Sequence, residues 1–132
     1  MTEFEDISII GFDNERTYNP NPPYQVYDIY LALSHRPPSV WGKIFEQERR
    51  FPRHTLWRRA RVSGSHIILQ APLDELEKTH LPDLHVDMKN VNDKFRKYLE
   101  EEAIAQEKKL AEEEAERQKL LDIKDRLTFD KD

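Results

Sequence analysis

Two spacings of apolar side chains, the alternation of a strand and the three-and-four rhythm of a helix, divide this chain into segments. In residues 4–12, Ile7, Ile9, Ile10 and Phe12 make a β-branched and aromatic run that predicts a strand. Asp13-Asn14-Glu15-Arg16 reads as turn or loop. Asn19-Pro20-Asn21-Pro22-Pro23 excludes helix and central strand, because proline lacks the amide donor and restrains its predecessor. The connection is then roughly ten residues, long for a hairpin. Its stretch from Tyr18 to Tyr24 reads as a rigid interstrand loop, the alternative being a polyproline II segment offered to an aromatic groove. Residues 24–33 carry the clearest strand pattern. Tyr27, Ile29, Leu31 and Leu33 fall on one face, and Tyr24, Val26, Tyr30 and Ala32 on the other, interrupted by Asp28. Two largely apolar faces predict an interior strand, or a face covered by a partner.

Arg36-Pro37-Pro38 breaks the strand, and Ser39 is the expected N-cap of a helix running to about Arg50, with Trp41, Ile44, Phe45 and Glu48 on one side and Pro52 as the stop. Residues 56–71 predict a β-hairpin turning at Ser63-Gly64. Pairing Val62 with Ser65 sets Ala60 opposite Ile67, Arg58 opposite Leu69 and Leu56 opposite Ala71, an apolar set expected to face the core. The other face then holds Trp57, Arg59, Arg61, His66, Ile68 and Gln70, and a one-residue slip inverts both sets. Residues 72–77 suit a short helix with proline near its start, expected to break near His80-Leu81-Pro82. Asp83 is placed to cap the next helix, in which Leu84, Met88, Val91, Phe95 and Leu99 form one buried stripe.

Beyond Leu99 the stripe fades, meets Gln106 and Glu113, and returns at Leu120, Ile123 and Leu127. The composition still favours helix. Glu113–Arg117 and Asp122–Arg126 are oriented as helix-stabilising pairs, worth roughly 0.2–0.5 kcal/mol each. A single helix over residues 83–127 would measure roughly 66 Å at 1.5 Å per residue, against a diameter near 35 Å for a domain of about 100 residues. Part of it is therefore expected to project as a coiled-coil partner, a solitary charged helix or a frayed tail.

Composition agrees with this division. The 132 residues are 37% apolar and 36% charged, leaner in apolar and richer in charged residues than an ordinary globular chain. The net charge of −5 hides a segregation. Up to Ser34 the basic residue is Arg16, among six carboxylates. From His35 to Arg61 the cations Arg36, Lys43, Arg49, Arg50, Arg53, Arg58, Arg59 and Arg61 meet only Glu46 and Glu48. The tail is acidic again. An acidic whole with a basic middle lacks the global signature of a nucleic-acid binder. The N-terminus has no apolar core of a secretory signal, and no apolar run approaches the length of a membrane span. A cytoplasmic protein is expected.

Candidate chemistry is sparse. The absence of cysteine excludes disulfides, thiolate metal sites and cysteine nucleophiles. No Gly-rich phosphate loop is present. His80 and His85 are five apart with Pro82 between them, so they would not share a helix face as metal ligands. Ser34-His35 and Ser65-His66 are neighbours, which in a strand point to opposite faces. No catalytic residue, cofactor or metal is therefore expected. The feature least like an ordinary surface is the basic–aromatic segment 49–61. Arg49, Arg50, Arg53, Trp57, Arg59 and Arg61, joined by His66 across the hairpin, make a candidate surface for a protein partner or nucleic acid, the plainer reading being that Trp57 covers part of the sheet and the arginines pair with Glu and Asp of the chain's own helices. Leu110, Leu120, Ile123 and Leu127 are the candidate helix-pairing residues.

The resulting expectation is an α+β protein. A β-β-α-β-β-α domain over residues 1–99, with a four-stranded antiparallel or mixed sheet, is followed by a charged helical extension over residues 100–132. The expected role is a non-catalytic interaction or assembly module that pairs with a protein partner or a second copy through the extension. The alternative is a nucleic-acid-binding accessory domain using segment 49–61.

Overall fold

The computed structural model describes residues 4–129, so Met1, Thr2 and Glu3 of the acidic N-terminus and residues 130–132 of the extension lie outside the described residues. In chain order the elements are β1 (Ile9–Phe12), β2 (Tyr27–Leu33), α1 (Ser39–Glu48), β3 (Ala60–Ser63) and β4 (His66–Ala71). A 3₁₀ turn at Leu73–Glu75 and a wide π turn at Leu76–His80 then lead into α2 (Leu81–Arg126). The class is α+β, in the expected order. The four strands lie in the order β1-β2-β4-β3, and each neighbouring pair is antiparallel.

β2 is interior, as its two apolar faces require. Its residues Ile29 and Leu31 stand opposite Leu69 and Ile67 of β4. With Leu33 and Ala71 these side chains are buried, and so are Trp41 and Phe45 of α1 and Leu84, Met88, Val91 and Phe95 of α2. One sheet face and two helical stripes thus make a two-layer core, each large side chain contributing about 1.5–3 kcal/mol by leaving water. On the opposite face Tyr30, Ala32, His66 and Gln70 are half-buried, and Ile68 and Asp28 are buried.

β1 is shorter than the predicted strand over residues 4–12. A bulge between Ile9 and Gly11 shifts its register on β2, and Ile10 and Phe12 are exposed. The residues before it dock on α2. The Ile7 amide donates to Asn92 Oδ1 at 3.2 Å, and Asn92 Nδ2 donates back to the Ile7 carbonyl at 3.0 Å. One asparagine thereby replaces a rung of a neighbouring strand. Its Oδ1 also accepts from the Trp41 indole at 2.9 Å. Phe4 packs on Phe95 with ring centroids 4.7 Å apart, and Asp6 pairs with Arg96. The proline-rich connection is closed by its own hydrogen bonds, Asn19 Nδ2 to the Tyr24 carbonyl at 2.7 Å and the Tyr24 amide to the Asn21 carbonyl at 2.8 Å.

The hairpin turns one residue later than predicted, at Gly64-Ser65. Ser63 then pairs with His66, and Ala60 with Leu69. Gly64 has φ +59, the sign that the first central residue of a type II′ turn requires. Moving a turn by one residue changes the pairing by two, so each side chain keeps its face: Ala60 and Val62 still lie with Ile67 and Leu69. The arm is shorter than predicted, however. Leu56, Trp57 and Arg58 are not in β3, and Leu56 does not face Ala71, which pairs with Tyr27.

Ser39 is not the N-cap. It is the first helical residue of α1, behind Pro38, whose carbonyl accepts from the Gly42 amide at 3.2 Å. The expected break at Pro82 is also absent. The backbone widens into the π turn just before it, making room for a proline that can neither donate to the preceding turn nor sit tightly against its carbonyl.

The chain forms two compact units, Met1–Arg96 and Lys97–Asp132. The buried residues of α2 fall between Leu84 and Phe95, in the first unit. In the second, the chain is helical to Arg126, and every described residue from Glu100 onward is exposed. Arg117 pairs with Glu114 rather than Glu113, and Arg126 Nε donates to the Asp122 backbone carbonyl at 3.4 Å rather than to its carboxylate. Among the described residues no helix is long and apolar enough to cross a membrane.

Candidate functional site

The segment following α1 divides into an inward and an outward set of cations. Arg49, the C-cap of α1, turns inward. Its Nη1 donates to Asp87 Oδ2 at 2.8 Å, its Nη2 donates to the Arg58 carbonyl, and the Trp57 ring lies 3.8 Å from its guanidinium carbon. The Trp57 indole donates to the Arg49 carbonyl at 3.0 Å. Arg53 Nη2 donates to the other Asp87 oxygen at 2.6 Å. His54 Nε2 lies 2.5 Å from Asp83 Oδ2, with its ring edge-on to Trp57 at 5.6 Å. Asp83 therefore serves His54, where a helix cap was expected. Burial pulls the Arg49 guanidinium below its ordinary value, an effect the Asp87 hydrogen bond and charge partly offset.

Two further carboxylates fix the surroundings. Glu48 accepts from Lys94 Nζ at 2.5 Å and from Asn90 Nδ2 at 3.0 Å. Burial alone would raise its carboxyl, but the hydrogen bonds and charges of Lys94, Asn90 and Arg53 outweigh burial and hold it below the ordinary range. Glu75 accepts Arg58 through both oxygens at 3.2 Å, and lies 2.9 Å from the buried His80. Arg58 and His80 lower its carboxyl in turn.

Arg50, Arg59 and Arg61 form the outward set. All three are exposed, and none has an ion pair among the described residues. With Arg49, Glu46, Ala60, Ile68 and Gln70 they line a recess of about 380 Å³. Glu46 also lines a second recess of about 300 Å³, together with Arg36, Lys43, Gly42, Val62 and Gly64. Both lie between α1 and β3. Their cations outnumber their one carboxylate, and Ile68 and the glycines supply an apolar and open floor, so the arrangement suits an anionic guest.

The expected surface is thus not one continuous face. Arg49 and Arg53 are drawn together by Asp87, and Trp57 is half-buried over Arg49 rather than standing on a strand beside Arg59 and Arg61. His66 is apart from both sets. It lies 3.0 Å from Asp13 Oδ2 and edge-on to Tyr30 at 5.8 Å. Burial would raise the Asp13 carboxyl, but hydrogen bonds from the Arg16 amide and His66, with the charges of both, lower it. Asp87 and Asn92, the polar residues that organise this region, were not singled out by the sequence pattern. The available signal was position: both fall on the face of Leu84, Met88, Val91 and Phe95, where a polar side chain needs a partner.

On the second unit, Leu110, Leu120, Ile123 and Leu127 are exposed, Leu120 at 63%. Ile104 and Leu121, outside the predicted set, are exposed as well. Leu120 and Ile123 share a shallow recess with Ala115 and Lys119. No protein-family model, curated protein or solved structure matches this chain.

Proposed function

We propose that the chain is a non-catalytic, cytoplasmic assembly module that pairs with a second copy of itself through the helix of its second unit. One observation carries this reading. α2 stays helical to Arg126, far past its last buried residue, Phe95, and there exposes Leu120 and Ile123, followed just past its end by Leu127, at spacings of three and four. A helix in water draws most of its stability from packing an apolar face, and a second helix supplies that packing. The test is sedimentation of the full chain beside a variant carrying Leu120→Ser, Ile123→Ser and Leu127→Ser. A dimer or higher state in the parent, falling to monomer in the variant, supports the proposal. A parent that stays monomeric at high concentration overturns it.

The second reading, a nucleic-acid-binding accessory domain, is favoured by the unpaired Arg50, Arg59 and Arg61. It draws less on the geometry, because Asp87 neutralises part of the inward set and the Trp57 ring is occupied by Arg49. Its check is titration with single- and double-stranded oligonucleotides at low salt, where phosphate contacts are strongest.

A further inference from the structure

We propose that the free edge of β3, with the cationic recesses beside it, is the docking site for an extended acidic segment of a partner protein, which joins the sheet as a further strand. This does not depend on helix pairing and uses a different surface. β3 is the outer strand of the sheet. The Gln70 amide donates to the Arg59 carbonyl at 3.0 Å, so Arg59, and with it Arg61 and Ser63, spend their backbone groups on β4. The alternate residues, Ala60 and Val62, therefore aim their amides and carbonyls outward. An incoming strand meets these groups with its own amides and carbonyls, which gives backbone affinity for an extended peptide of any sequence.

Charge supplies the selectivity. Successive side chains of a docked strand point to opposite faces. Those on one face meet Arg59 and Arg61. Those on the other meet α1 and the residues just past its end, where Lys43 and Arg50 line the recesses. Cations wait on both sides, so the matching segment carries carboxylates at consecutive positions rather than alternate ones. Glu46 is the one carboxylate in either recess and sets the point at which a neutral residue is preferred. A nucleic acid offers no peptide groups for Ala60 and Val62, and no free aromatic ring in the recess awaits a base.

The experiment uses the full chain and fluorescence anisotropy with a labelled peptide of glutamates and valines. The comparison ligands are the same peptide N-methylated at alternate residues, its lysine counterpart and a labelled oligothymidylate. We expect saturable binding of the acidic peptide, weakened at least about tenfold by N-methylation and about as much by combining Arg59→Glu with Arg61→Glu. Equal binding of the N-methylated peptide overturns strand addition. Tighter binding of the oligothymidylate, or of the lysine peptide, overturns the acidic partner, and absence of saturable binding overturns the site. The N-methylated peptide is tested on the unmodified protein, so it decides the matter even where the double variant does not fold.

Discussion

Each oxygen of the Asp87 carboxylate serves a different guanidinium, one of them buried, so removing this side chain leaves the Arg49 charge without its carboxylate in a site where little of it meets water. Breaking a buried pair on one side costs about 3–5 kcal/mol, and Asp87→Ala is expected to fall in that range. Trp41 is fully buried, and Trp41→Ala should cost about as much by leaving a cavity. Trp57 is half-buried, and its contribution is a hydrogen bond and a ring over Arg49, so Trp57→Ala is expected to cost about 1–2 kcal/mol. Denaturant midpoints of the three variants give the ranking, and a Trp57 variant as unstable as the other two would contradict it. The inward pull on Trp57 was not legible from residues 49–61 alone. Its partner is fixed by an aspartate some thirty positions away (Asp87), and an exposed strand position and a lid over an arginine look the same in a local pattern.

At the scale of elements, the strands and stripes were legible wherever burial repeats at a fixed period. Ile29 and Leu31, or Leu84, Met88, Val91 and Phe95, announce their face because nothing else competes for it. Boundaries were less legible, because they depend on which backbone groups find partners elsewhere. Asn92 takes the Ile7 backbone groups that a neighbouring strand would otherwise pair, and the π turn lets the backbone pass Pro82 without leaving the helix. The links between elements are acid-sensitive in a definite direction. Glu48 joins α1 to α2, and Glu75 joins segment 49–59 to the turn before α2. Both carboxyls are held below their ordinary value of 4.5. A group depressed in the folded state contributes stability that is complete above its unfolded value and is lost as pH falls through the folded one. The denaturant midpoint should therefore hold steady above about pH 5 and drop progressively below about pH 4.5. Glu48→Gln and Glu75→Gln together should flatten that acid limb, and an unchanged limb would place the acid sensitivity elsewhere.

For the whole molecule, salt separates the two proposed contacts. Most of the net negative charge belongs to Lys97–Asp132, so pairing two such helices brings like charges together. Added salt screens that repulsion and should strengthen self-association. It should weaken the capture of an acidic strand at Arg59 and Arg61, where opposite charges meet. The hydrogen bonds between Ile7 and Asn92 add a constraint of time. Their residues stand 85 positions apart, so during synthesis the start of the chain waits without its partner until nearly the whole folded unit has been made. Local pairings such as the β3–β4 hairpin close short loops and need no such delay. In refolding followed by pulsed hydrogen exchange, the Ile7 amide should accordingly become protected after those of β4. The opening segment of the polypeptide would then be the last to take its place, a latch that shuts only over a finished sheet.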